Sequence, residues 1–365
     1  MYELVDHTYY DIEDTQDSES AIILFAHHPA TKQNIVMKKL RQYEDTRYSQ
    51  LTLNERQSYQ LEALEWNRKF TSDIYIGLAP VCETHTHLEK KPKRICIGSI
   101  LENPNRETLN KTKEYVLLMK RLPKERRLDN LLSNNQEKDN LQEYLYLFTR
   151  YISHIHTTFP ISIREVERTW WGSIEQLRNK LQENLELLKV AILPKTEQHD
   201  IYDRLKTQLP KFLEENIYQE YFKRRLDGHH IKRCHGDLKA PNIWIAPISQ
   251  KCNEQPRKCI WLLDTIDFNP SFCNIDTLSD FAFLVVDIHT RTGSIDLANS
   301  IIDTYLRLTQ ETGEPARYVL AYYLIEKAAV GAAISYYFDQ NLLLGNSYLS
   351  VAALRLDELM NKASK

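Results

Sequence analysis

The chain has 365 residues, 42% of them hydrophobic and 27% charged, with a formal net charge of −3. That length and apolar content suffice for a sizeable core in one large domain or two smaller lobes. The near-balanced charge gives no electrostatic footprint for nucleic acid or a membrane surface, and nine glycines against 21 tyrosines describe an ordered, helix-rich chain.

In chain order, the first twenty residues are acidic and lack a charged-then-apolar leader. The apolar runs AIILFAHH and NIVMKKL, separated by PATKQ within 20–40, predict an antiparallel pair of strands. Apolar residues at helical spacing predict a helix over 53–70. Strands are expected at 74–85, 93–102 and 114–123, the last running into a proline exit. This succession reads as a small α+β lobe of 1–122. From 123 to 365 the pattern turns helical, over 127–160, 173–225, 278–291, 295–312, 315–340 and 347–362, interrupted by a strand cluster at 232–269. The six cysteines (82, 96, 234, 252, 259 and 273) form no CxxC pair, so neither metal-ligand spacing nor a need for disulfides is read from them. No apolar run approaches the ~20 residues of a membrane helix. The expected compartment is the cytoplasm, with no nucleic-acid or membrane partner.

CHGDLKAPNIWI (234–245) carries the chemistry. Asp237 stands five residues before Asn242 in a short loop between apolar segments. Phosphoryl transfer needs a carboxylate that takes or orients the acceptor hydroxyl, together with oxygens for Mg²⁺. D-x-x-x-x-N supplies both from one turn, and magnesium needs few protein oxygens besides. A further carboxylate comes from LLDTIDFN (262–269), as Asp264 or Asp267. Residues three apart on an extended strand face opposite ways, so only one reaches a metal unless the chain turns.

HGDLKAPN, LLDTIDFN and SDFAF (279–283), in that order, resemble the aminoglycoside phosphotransferase and choline kinase superfamily. The likeness is nearer to a bacterial branch often fused to a C-terminal P-loop domain, and VMKKL, YVLLMKRLP and RRLDNLL match further blocks of it. The resemblance implies a two-lobed, protein-kinase-like α+β fold with a small antiparallel-sheet lobe and a large helical one. It implies ATP and Mg²⁺ as cofactors and a small-molecule hydroxyl as acceptor. Lys38 takes the place of the phosphate-binding strand lysine, with Glu62 as its helix partner and Glu65 in reserve. Met119, Lys120 and Arg121 form the hinge that addresses adenine. Asp237 is the catalytic residue, Asn242 with Asp264 or Asp267 the metal set, and Asp280 an acceptor of loop N–H groups. Two departures stand out: Lys239 replaces a family His, and no glycine precedes Gly77, so the phosphate-covering turn FAHHPATKQ lacks one. No GxxxxGK[ST] occurs, so the P-loop activity of longer relatives is not expected.

Blander readings stand beside these. The loop is a polar turn if taken alone, a Lys-Lys pair at a strand end is commonly a solvated edge, and Glu62 fits a solvated helix face. His156 is expected to pack beneath the loop, and Trp170-Trp171 to anchor a helix start. Asp287 and Glu326 are acidic candidates for a cationic acceptor, neither of them chosen. Three functions compete: a small-molecule kinase, a non-catalytic nucleotide-binding module, and a protein kinase. The last is disfavoured by the short stretch between Asp264 and Asp280.

Overall fold

The computed structural model describes residues 7–45, 48–71, 73–82, 94–134, 137–159, 169–192, 196–247, 249, 252 and 254–363. The chain forms two compact units, Met1–Pro123 with Trp261–Pro270, and Lys124–Ile260 with Ser271–Lys365. The expected division assigned everything after 122 to one lobe. The acidic segment instead belongs to the first unit, because Trp261 and Leu263 pack on the cluster of Leu64, Tyr75, Leu78 and Leu117.

The first unit holds β1 (Thr8–Asp17), β2 (Ala21–His27), β3 (Asn34–Leu40), helix α1 (Leu53–Phe70), β4 (Tyr75–Pro80), β5 (Arg94–Ile97) and β6 (Tyr115–Lys120). The strands pair antiparallel in the order β4-β6-β3-β2-β1-β5. The two edges then meet. Val81 bridges Ile97, the Cys82 N–H donates to the Cys96 carbonyl at 3.0 Å, and the Gly98 N–H to Pro80 at 2.9 Å. The sheet thus curls onto itself around Leu24, Met37, Ile97, Val116 and Leu118, which covers strand edges that would otherwise template aggregation. The expected strand ends at 83–85 and at 93 lie outside the described residues.

β1 is absent from the sequence reading, which took this stretch only as an acidic terminus. Of its residues only Tyr10 is buried, and its charges are spent across the sheet. Asp11 pairs with Arg94 at 2.5 Å, and Glu13 with Arg121 and with His27, at 3.1 Å for the latter. α1 begins with a capping box in which Thr52 and Glu55 satisfy each other's backbone N–H. Its buried face is largely polar. Gln57 donates to the Asn110 and Lys113 carbonyls at 2.9 and 2.8 Å, and Gln60 to Tyr115 at 2.9 Å. These bonds fix the helix against the chain entering β6.

The second unit comprises α2 (Leu128–Ser133), α3 (Lys138–Thr158), α4 (Ile174–Ile192), α5 (Thr196–Gln208), α6 (Asn216–Asp227), β7 (Ile231–Arg233), β8 (Ile243–Ile245), β10 (Asn274–Asp276), α7 (Thr277–Thr292), α8 (Ile295–Leu308), α9 (Glu314–Tyr337) and α10 (Leu342–Ala363). Strand β9 (Ile260–Leu262) leads out of this unit into the acidic segment. α9 packs against α10, α7 and α4. Gly331 permits the α10 approach, since a Cβ there would lie 2.6 Å from the Tyr348 ring. β7 and β10 pair antiparallel, and Asp276 at the end of β10 caps α7 through the Leu278 N–H at 2.9 Å. Among the described residues no helix is long and apolar enough to cross a membrane. Cys252 and Cys259 are disulfide-bonded, against the expectation drawn from chain size. Overall size says nothing about a local loop, and here the bond closes the excursion after β8, where the Ala246 N–H also reaches the Cys259 carbonyl at 2.8 Å.

Candidate active site

In the second unit, the segment between β7 and β8 is held by two carboxylates from one helix. Asp280 and Asp287 lie two turns apart on α7, hence on the same face, and both are buried. Asp280 accepts the N–H groups of His235 at 3.1 Å and Gly236 at 2.9 Å, as expected of it. Asp287 accepts the Ala240 N–H at 2.7 Å. The loop is gripped at both ends of its tight turn. Gly236 adopts φ 85°, a left-handed conformation that favours glycine.

Each gripping carboxylate is itself supported. His156 bonds Asp280 at 3.2 Å through Nε2 and the Tyr305 hydroxyl at 2.7 Å through Nδ1, so it packs beneath the loop as expected. Burial pushes the Asp280 carboxyl up, but His156, His235 and the Gly236 N–H outweigh it and hold it below the usual value. Asp287 accepts from Arg291 at 2.7 Å and from the Tyr348 hydroxyl. It is therefore a buried structural group, not an acidic contact for a cationic acceptor. Glu326 bonds Asn184 at 2.5 Å and borders a cavity with Lys180, Lys327, Tyr322 and Trp171.

Within the loop, the Asn242 amide nitrogen donates to both the backbone and a carboxylate oxygen of Asp237, each at 2.9 Å. That fixes the amide and leaves Oδ1 as its acceptor face. Lys239 Nζ lies 3.2 Å from the Asp237 carboxylate. Burial disfavours the Lys239 charge, but Asp237 more than offsets this and raises its pKa.

In the first unit, Lys38 on β3 pairs with Asp264 at 2.7 Å. The segment after β9 is clamped by α1 and the turn after it. Thr71 Oγ1 donates to the Leu262 carbonyl at 3.0 Å and accepts its N–H at 2.8 Å. Asn67 accepts the Thr265 N–H at 3.0 Å, and the Tyr75 hydroxyl accepts the Asp264 N–H at 3.0 Å. Asp264 itself sits at φ 62°, a left-handed conformation costly for a residue other than glycine and concentrated at functional sites. The chain therefore turns there, and the opposite-faces rule for an extended strand does not apply. The Asp267 charge acts on Lys38 as well. Burial, then Asp264 and Glu62, push the Asp267 carboxyl up to about 6 against the opposing pull of Lys38. For Lys38, burial favours the neutral amine, but Asp264 and Asp267 prevail and hold it charged.

Each unit thus gathers one set of sequence-predicted residues: Asp237 and Asn242 in the second, Lys38, Asp264, Asp267 and Glu62 in the first. The acid bonded to Lys38 is Asp264, while Glu62 on α1 contributes charge at Asp267. Of the hinge residues, Met119 lies inside the ladder between β3 and β4, and the Lys120 N–H is spent on Ile74 at 3.0 Å. Arg121 alone lies past the strand end. The glycine-free turn between β2 and β3 closes through Lys32 at φ 56°, whose N–H reaches the His28 carbonyl at 2.8 Å. The sequence reading missed Asn67, Thr71 and Tyr75, and it left Asp287 unassigned. The seven-residue spacing of Asp280 and Asp287 on an apolar helix is the signal that points to the latter.

By sequence, no family model and no curated protein matches the chain. By structure, the chain is similar to choline kinase from Cryptosporidium parvum, with TM-score 0.51 and 9% identity over 97% of this chain and 91% of that one. It is similar also to an aminoglycoside 2'-phosphotransferase in complex with GDP, with TM-score 0.50 and 10% identity over 96% and 92%. The fold, an antiparallel-sheet lobe followed by a mainly helical lobe, is the one shared by choline kinase and aminoglycoside phosphotransferases.

Proposed function

We propose that the chain is an ATP- and Mg²⁺-dependent phosphotransferase acting on a hydroxyl of a small molecule. The observation that carries this reading is the Asp237–Asn242 loop, held at three backbone N–H groups by Asp280 and Asp287 with its amide oriented by Asp237. A carboxylate fixed this way suits a group that must accept or orient an acceptor hydroxyl. Lys239 places a positive charge beside that carboxylate, where it could meet the negative charge developing on a transferring phosphoryl group.

The donor set fits magnesium: Asn242 Oδ1 and the Asp264 and Asp267 carboxylates are hard oxygens, and no thiol or imidazole competes among them. When bound, Mg²⁺ would neutralise charge on the phosphate oxygens. Asp264 is the carboxylate best suited to face it, since its side chain is 59% exposed on a left-handed turn. Lys38, held charged, would take the phosphates, and the Arg121 backbone the adenine. The first unit then serves the nucleotide and the second the acceptor, and the reading requires both sets to act on one triphosphate. The compartment proposed with it is the cytoplasm.

The test is a screen of hydroxyl-bearing metabolites for ATP-dependent gain of a phosphoryl group by mass spectrometry, with Asp237→Ala as the blank. A product formed only by the native chain is expected. ATP turnover identical in the two proteins, with no phosphorylated product, would reject the reading. A non-catalytic nucleotide-binding module is the second reading, favoured by the Lys239 ammonium that occupies one Asp237 oxygen. Thermal stabilisation by nucleotide without magnesium dependence or turnover would select it.

A further inference from the structure

A second cluster lies in the first unit, at the seam where the curled sheet closes. His7 immediately precedes β1, Cys82 follows β4, and Cys96 lies in β5. The seam brings them together by pairing, with Tyr9 opposite Cys96, Thr8 opposite Ile97, and the Cys82 N–H on the Cys96 carbonyl at 3.0 Å. One ligand atom from each of the three side chains lies within 4.8 Å of the other two. Their spacing along the chain forms no metal motif, so closure of the sheet is what creates the cluster.

We infer that His7, Cys82 and Cys96 form a binding site for a borderline-soft divalent metal of the zinc class. Two thiolates and an imidazole form the donor set that zinc prefers, and the cluster has no oxygen set for magnesium or calcium. A tetrahedral zinc with bonds of about 2.0–2.3 Å places its ligand atoms about 3.3–3.8 Å apart, so the three need to draw in by no more than about 1–1.5 Å. Cys96 is buried, Cys82 half-buried and His7 exposed, which anchors the site on its inner side and leaves the fourth position to solvent.

His156, Cys234 and Asp280 also lie within 4.8 Å of one another, but there His156 and Asp280 are spent on Tyr305, on each other and on loop N–H groups. It is a structural network. At the seam the Cys82 and Cys96 thiols meet each other and the Tyr9 hydroxyl, contacts that a metal would replace, and the three residues lie in or next to separate strands of the closing sheet. Bound metal would staple the sheet closed. The inference is independent of the phosphotransferase reading.

The test is titration of the reduced, chelator-stripped protein with Co²⁺ and then Zn²⁺, followed by absorbance and thermal melting. One equivalent of Co²⁺ should give a thiolate charge-transfer band that zinc abolishes, and zinc should raise the melting temperature. Cys82→Ser, at the less buried thiol, should lose the band and the zinc-induced shift. His7→Ala should weaken binding by more than the roughly tenfold that loss of an outer-shell partner alone costs, and Cys273→Ser should bind as the native chain does. Absence of a thiolate band, equal binding by Cys82→Ser, or a Cys82–Cys96 disulfide in air with no metal uptake after reduction would overturn the site. So would binding lost on substitution of His85 and His87, which lie outside the described residues, but retained in His7→Ala.

Discussion

The Asp237 loop and the Asp264 turn carry the two halves of the proposed chemistry, and they are held in opposite ways. The loop hangs from two buried carboxylates on one helix, each backed by further charged or aromatic partners. The turn is clamped at its backbone by uncharged groups (Thr71, Asn67 and Tyr75), while the Asp264 side chain, more than half exposed, pairs with Lys38. A group that must present one geometry throughout is over-determined by buried charge. A group that must trade Lys38 for phosphate and metal is fixed at the backbone and left exchangeable at the tip. The cost of losing each support should follow from that difference.

The largest effect falls on the buried side. Asp280→Ala strands two loop N–H groups and a buried histidine, and should destabilise the second unit by about 3–5 kcal/mol in denaturant unfolding. Asp264→Ala removes a carboxylate that is more than half exposed and leaves Lys38 its Asp267 neighbour, and should cost less, about 1 kcal/mol. Equal losses would erase the contrast.

Next is the backbone clamp. Thr71→Val removes both bonds to Leu262 at nearly constant volume, and should cost about 1–2 kcal/mol. If the clamp positions Asp264, nucleotide affinity should fall alongside, as read by calorimetry. Unchanged affinity would confine Thr71 to stability.

The smallest effect is one of pH. The Asp267 pKa is raised to about 6, so the protonated form gains as pH falls through that value, and a protonated carboxyl is a poor magnesium ligand. Mg²⁺-dependent nucleotide affinity should therefore fall roughly tenfold by one pH unit below that pKa. Asp267→Asn should flatten this dependence, and a slope unchanged in that variant would place the titration elsewhere.

Much of this was legible in the sequence, for physical reasons that differ along the chain. α1 carried its helical spacing openly, and its observed bounds are those expected. The Asp237 loop was legible because residue type and spacing are the chemistry. β1 was not, because its acids pair with Arg94, Arg121 and His27, residues distant in sequence. The turn at Asp264 was hidden for a related reason: an aspartate in a left-handed conformation has no local signature, and the groups that hold it there come from α1, the turn after it and β4. Lys32 closes the first turn in the same conformation, a place where a glycine was sought. The seam cluster of His7, Cys82 and Cys96 exists only once the sheet closes.

The most direct test of the central claim is phosphoryl transfer by Asp237→Asn, measured with the acceptor that the screen identifies, alongside nucleotide affinity and melting temperature. Asparagine keeps the size and the Asn242 contact but cannot take a proton. The account predicts turnover lower by a factor of about 10²–10⁴, with nucleotide affinity within about twofold and the fold intact. Transfer at the native rate would contradict it.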